Sequence, residues 1–158
     1  MRQTHRHSEQ KQPESHDLLR DDSGVSAVEF ALVAPVLLMI LLGVMQLGIT
    51  FNNYIALTDS VRAGSRVLAA ARSSTTPYSD ATGAVYASAP TLKAGSITLS
   101  LSVNGTACAG DGPCATALTG AAGSTANVHA TYPCDLLIFG VDYVPSCTLT
   151  ASTTERVE

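Results

Sequence analysis

The stretch Asp21–Phe51, "DDSGVSAVEFALVAPVLLMILLGVMQLGITF", decides the fold. From Phe30 to Phe51 it carries no charged residue, and most positions are apolar. A helix needs roughly 20 such residues to cross the hydrocarbon core of a bilayer. The run is too long for an ordinary secretory h-region of roughly 7–15 residues. The segment before it also fails as a signal n-region, because Glu9, Glu14, Asp17, Asp21 and Asp22 oppose Arg2, Arg6, Lys11 and Arg20. The reading is a single-pass transmembrane helix that follows a polar, aperiodic leader, residues 1–24. Glu29 stands near the start of the apolar run, five residues after Gly24. A carboxylate there is costly unless it lies at the headgroups or has a partner.

The helix is expected to continue past the membrane. In "NNYIALTDSVRAGSRVLAAAR", Tyr54, Leu57, Val61, Gly64, Leu68 and Ala71 recur at spacings of three and four, marking one apolar face. Asp59 and Arg62 fall one turn apart on the polar face. A helix from Ser26 to Arg72 would be on the order of 70 Å long. Residues 25–51 form its transmembrane half and 52–73 its extracytoplasmic half; "SSTTP" ends it. Pro35 removes one backbone hydrogen bond and should kink or loosen the helix, unless it is merely tolerated as prolines in membrane helices often are. Gly43 and Gly48 are five apart, so they do not make a small-xxx-small motif.

Residues 74–158 read as a small, cysteine-containing, β-rich domain. Ala, Gly, Ser and Thr dominate from Ser73 to Thr131, and the chain has no Trp and only three Phe. Such a segment buries little apolar area per residue. A small sheet with loops is expected rather than a deep enzymatic cleft. "SDATGAVYASA" suggests a short helix. "SITLSLSVNG" alternates through Ile97, Leu99, Leu101 and Val103, a strand with one buried face. In "NVHATY", Val128, Ala130 and Tyr132 share a side and His129 faces solvent. "CTLTASTTERV" supplies a third strand. "YPCDLLIFGVDYVPSC" reads as a loop or short helix carrying Leu136, Leu137, Ile138 and Phe139, which either packs on the domain or contacts a partner subunit. The fold class is α+β, a long N-terminal helix followed by a small antiparallel sheet.

Cys108, Cys114, Cys134 and Cys147 all follow the apolar run, as expected for an exported part in an oxidising compartment. Four cysteines allow three pairings. The local pairs, Cys108 with Cys114 and Cys134 with Cys147, are preferred because each closes a short loop. "CAGDGPC" is rich in turn residues and can fold back on itself. A zinc site is the rival reading, but there is no CxxC and no His at ligand spacing. The leader's four Lys/Arg against Arg62, Arg66 and Arg72 favour a cytoplasmic N-terminus only slightly, and the cysteine placement points the same way.

A net charge of −4 gives no basic patch for nucleic acid. No GxSxG, HExxH or phosphate loop is present. Asp111, Asp135 and Asp142 lie in turn-rich contexts. "NGT" at Asn104 matches a glycosylation sequon, a triplet common by chance. No enzyme, cofactor, metal or small-molecule substrate is expected.

A hydrophilic leader ending in Gly24, then "VSAV", then Glu29, Phe30 and an unbroken apolar helix resembles the processing site of type IV pilin-like proteins. Within that group the stretch "SGVSAVEFALVAPVLLMILLGVMQLGITFNNYIALTDSVRAGSR" looks like the TadE-like family, pseudopilins of the tight adherence (Tad, or Flp) pilus. "AVEFALVAPVLL", Gly43, Gly48 and "RAGSR" carry the similarity, and the tail "LTASTTERVE" resembles the family's usual ending. Residues 73–145 carry no such resemblance, and the four cysteines are not carried over from the family. The resemblance implies a pilin-like fold and cleavage by a membrane aspartyl prepilin peptidase after Gly24, leaving Val25 as the new N-terminus. It implies that Glu29, followed by aromatic Phe30, neutralises the amine of a neighbouring subunit. It further implies a minor pseudopilin acting in assembly or anchoring of an adhesive pilus. The protein would sit in the bacterial inner membrane, N-terminus in the cytoplasm and C-terminal domain outside, with other pilus subunits as partners. The alternative is an uncleaved, single-pass envelope protein whose exported domain binds a ligand or partner.

Overall fold

Helix α1, Asp22–Ala70, opens the computed structural model, which describes residues 22–134, 137–138, 140–142 and 144–158. The chain groups into two units, Met1–Ile40 and Leu41–Glu158. In the first, α1 is continuous through Pro35. Its apolar side chains face outward on every side: Phe30 is 69% and Leu32 73% exposed. A helix that is apolar all round and uncovered requires lipid or another chain around it. By length and composition alone, α1 can cross a membrane. Helical structure begins at Asp22, earlier than the Ser26 expected, so it already contains Gly24 and Val25.

The second unit is a single core built around the rest of α1. The chain leaves α1 through a 3₁₀ turn, Ala71–Ser73, and enters α2, Pro77–Ser88, with proline at its start, where a missing N–H costs nothing. There follow β1 (Thr98–Val103), β2 (Thr106–Cys108), α3 (Asp111–Leu118), β3 (Thr125–Pro133), β4 (Leu137–Ile138), β5 (Val141–Asp142) and β6 (Thr148–Arg156). The main sheet has four antiparallel strands in the order β2-β1-β3-β6, and β4 pairs with β5 as a separate two-stranded hairpin.

The α1 stripe faces this core. Leu57, Val61 and Leu68 are fully buried, whereas Tyr54 is 44% exposed, so the buried stripe starts at Leu57. Ser60 and Ser65 are also fully buried. Their hydroxyls donate back to the carbonyls of Leu57 (2.8 Å) and Arg62 (3.0 Å), so no polar atom is stranded. At Gly64 α1 and α2 meet: an added Cβ would overlap Val85 Cγ2 and lie 3.1 Å from the Ala81 carbonyl oxygen. From the sheet, Leu101, Val103, Ala126, Val128, Ala130 and Ala151 turn inward. Most of these are small, and a buried Val or Leu contributes about 1.5–3 kcal/mol where Ala gives much less. Two disulfides, Cys108–Cys114 and Cys134–Cys147, supplement this modest core.

Four expectations need correction. The sheet has a further strand, β2, because "NG" at 104–105 is a two-residue hairpin turn: Asn104 (φ 49°) and Gly105 (φ 77°) both take positive φ, the geometry that suits strand twist. "DGPCATAL" is helix α3 rather than an open loop, with Cys114 and Leu118 buried one turn apart. Asp111 therefore starts a helix instead of a turn. Within 134–147 the described residues include the β4–β5 hairpin where a loop or short helix is expected; Asp135, Leu136, Phe139 and Tyr143 lie outside the described residues.

Candidate processing and assembly site

Gly24, Val25, Glu29 and Phe30 lie in the first turns of α1, all exposed. The first four N–H groups of a helix lack intrahelical acceptors, so the Gly24–Val25 bond sits in the turn that frays most readily. Nothing among the described residues requires glycine at 24. Its backbone is helical, and an added Cβ would meet no atom within 4 Å. Alanine there would favour the helix by about 1 kcal/mol. The glycine therefore weakens this turn with no return among the described residues.

Val25 and Glu29 are four residues apart, one helical turn, and so share a face. Glu29 has no hydrogen-bond or ion-pair partner among the described residues. A carboxylate so placed can accept from a cation brought by another chain, or from an amine created at Val25. Gly43 and Gly48 also have no atom within 4 Å of an added Cβ, leaving room for a close neighbour at both positions.

The four cysteines do not belong to this site. They are joined as Cys108–Cys114 (Cα–Cα 5.0 Å) and Cys134–Cys147 (Cα–Cα 5.1 Å). With every thiol consumed, the zinc reading loses its ligands, and no group of three or more His, Cys, Asp or Glu is placed to hold a metal among the described residues.

Asp111, which the sequence places only in a turn-rich context, reaches a partner far along the chain. Asp111 accepts the Ser79 backbone N–H at 2.8 Å and the Ser79 hydroxyl at 2.7 Å. It thereby satisfies an orphan donor in the first turn of α2 from the start of α3. The Ser79 N–H, and then the Ser79 hydroxyl, hold the Asp111 carboxyl below its ordinary value of 3.8. Because the disulfide ties Cys114 in α3 to Cys108 in β2, this contact links α2, α3 and the sheet. Beside it, Asp80 accepts from the hydroxyls of Ser74 (2.8 Å) and Thr76 (3.2 Å). These bonds hold structure together; nothing bound is implied by them.

The "STTERVE" tail also has a defined place. Val157 is buried, donates to the Ser124 carbonyl (2.8 Å) and accepts from the Gly123 N–H (2.8 Å). The Glu158 N–H donates to the Ala69 carbonyl at 3.2 Å, and Arg72 Nη1 donates to the Glu158 carbonyl at 3.1 Å. The tail thus closes on the end of α1, just beyond "RAGSR".

Residues 24–66 match the TadE family of TadE-like proteins. The TadE-like segment opens on Gly24 and closes on Arg66, the last residue of "RAGSR". It covers the start of α1, the apolar run and the half of the buried stripe that contains Gly64. No curated protein and no solved structure matches the chain.

Proposed function

We propose that this protein is a minor pseudopilin of a Tad-type pilus, made as a membrane-inserted precursor and cut by a prepilin peptidase between Gly24 and Val25. The observation that carries the reading is the pairing of Gly24 with Glu29 at the head of a TadE-like helix. Gly24 weakens the turn in which it sits and leaves the backbone open to a protease. Cutting there makes an amine at Val25 one turn before Glu29. In a medium of low dielectric the two charges stabilise each other, within a subunit or between neighbours. The precursor lies in the inner membrane with its N-terminus in the cytoplasm and the disulfide-bonded domain outside. It acts in assembly or anchoring, as substrate and subunit rather than as enzyme.

One observation favours a second reading, an uncleaved anchored envelope protein: α1 already runs through Gly24 from Asp22, so cleavage must unwind its first turn. Gly24→Ala separates the two. Under the proposed reading it blocks processing by the co-expressed peptidase; under the second it changes nothing. Glu29→Gln should leave cleavage intact and lower the amount of protein recovered with other pilus subunits. Equal recovery would remove Glu29 from assembly.

A further inference from the structure

The two ends of the main sheet lie at different levels along α1. At one end Arg156 pairs with Thr125, and the Asn104 N–H donates to the Thr125 carbonyl at 2.7 Å. That end closes on Ala69 and Arg72 through Glu158. The other end, at Tyr132 and Pro133, is met by the chain that leaves α2. Helix α2 starts beyond the end of α1 and runs back along it, because Ala81 and Val85 reach Gly64. Past its end, the Lys93 N–H donates to the Tyr132 hydroxyl at 3.5 Å. The nine residues of β3 span roughly 27 Å. From Ala69 back to Tyr54, α1 covers roughly 22 Å. The Pro133 end of the sheet therefore reaches the level of Tyr54.

Tyr54 marks the outer edge of the apolar run. It and Phe51 are exposed, Asn52 and Asn53 stand between them, and tyrosine favours the headgroup layer. At Pro133 the chain leaves the sheet for the β4–β5 hairpin. The base of that excursion is tied by the Cys134–Cys147 disulfide and by the Cys134 N–H, which donates to the Cys147 carbonyl at 3.1 Å. Beyond the tie, Val141 is 55% and Val144 45% exposed. Outside α1, Tyr86 is the one other exposed large apolar side chain among the described residues. No Lys or Arg stands between Pro133 and Cys147.

Exposed apolar groups gathered in one place call for a cover. Here α1 supplies it, since it holds this unit at a bilayer surface and the hairpin lies at the level of that surface. We infer that the β4–β5 hairpin dips into the outer leaflet beside α1, a second and shallow lipid contact that fixes the tilt of the unit on the membrane. Asp142 sets the depth. Its carboxylate accepts the Val144 N–H at 3.0 Å and stays among the headgroups, while Val141 and Val144 enter the boundary with the acyl chains. The inference rests on α1 crossing the membrane with the disulfide-bonded unit outside. It does not depend on cleavage at Gly24.

The chain has no Trp, so a single introduced one reports a single place. The full chain, with both disulfides formed, is reconstituted at low density into phosphatidylcholine vesicles with plain or brominated acyl chains, and the fluorescence of Val141→Trp and Val144→Trp is compared. Val44→Trp in the apolar run and Thr106→Trp at the far end of the sheet are the references. Brominated lipid should dim both hairpin variants about twofold or more, as it dims Val44→Trp, and leave Thr106→Trp unchanged. Two hairpin positions, each with folding followed by circular dichroism, guard against one misfolding. Hairpin variants as bright in brominated as in plain lipid, beside a quenched Val44→Trp, would overturn the inference and leave the membrane span standing. If their emission were also shifted to the blue, protein rather than lipid would cover the hairpin. Equal quenching of Thr106→Trp would overturn the inference too, because the unit would then lack this orientation. An unquenched Val44→Trp would remove the span and the inference together.

Discussion

Gly64 shows how one missing side chain sets the approach of two helices. The Cβ of Gly64→Ala would overlap Val85 Cγ2 and press on the Ala81 carbonyl oxygen. Overpacking costs about 1–3 kcal/mol, and alanine's helix preference returns up to about 1 kcal/mol. A net loss of up to about 2 kcal/mol is expected from denaturant melts in detergent. Adding Val85→Ala should make the two changes non-additive, because the second removes the group the first strikes. Gly24 is the contrast, with open space around it. Gly24→Ala should leave the melt unchanged or slightly raised, so that any effect on processing is separable from folding. Asp111 gives a pH signature. Its folded pKa lies below its ordinary value of 3.8, so its stabilisation is complete above that value. As pH falls through the depressed folded pKa, that stabilisation is lost. Asp111→Asn should therefore lower stability at neutral pH and flatten its decline on the acid side of pH 4, followed by circular dichroism. An acid limb as steep as the parent's would mean the Ser79 contact is not formed.

At the scale of elements, legibility followed periodicity. The apolar run, the stripe from Leu57 to Ala71 and the alternation in β1 and, less cleanly, β3 are legible because each repeats a burial period, and β6 is legible from its threonines. Helix α3 is not, since eight residues beginning "DGP" look like a turn until Cys114 and Leu118 are seen on one side. Strand β2 is hidden by its length of three residues, although the Asn-Gly before it, within a triplet that matches a sequon by chance, is a strong hairpin signal. That turn makes a direct prediction. Gly105 has φ 77°, so Gly105→Ala forces a side chain into the left-handed region and should cost about 1–2 kcal/mol. Amide exchange should then rise in β1 and β2 before β6. Of the candidate site, the spacing of Gly24 and Glu29 was plain in the sequence. That Gly24 lies inside the helix was not, because helix starts are fixed by tertiary context as much as by local residues. The Asp111–Ser79 contact spans 32 residues and has no local signal at all.

Over the whole molecule, a core rich in alanine relies on covalent closure. Each disulfide closes a short loop, with separations of 6 and 13 residues, and removing either should cost about 2–4 kcal/mol. Cys108→Ala with Cys114→Ala should therefore lower the melting midpoint of the disulfide-bonded unit. The helix from Gly24 to Ile40, whose apolar side chains are exposed, should stay helical by circular dichroism in detergent. Disulfides such as these form and persist in an oxidising compartment. The central claim concerns the other end of the chain. It is tested most directly by expressing the full chain in a membrane with and without a prepilin peptidase and determining the N-terminal residue of the product. The account predicts Val25 as the first residue only when the peptidase is present, and Met1 for Gly24→Ala under both conditions. A parent chain that still begins at Met1 beside an active peptidase, or begins at any residue other than Val25, would contradict it.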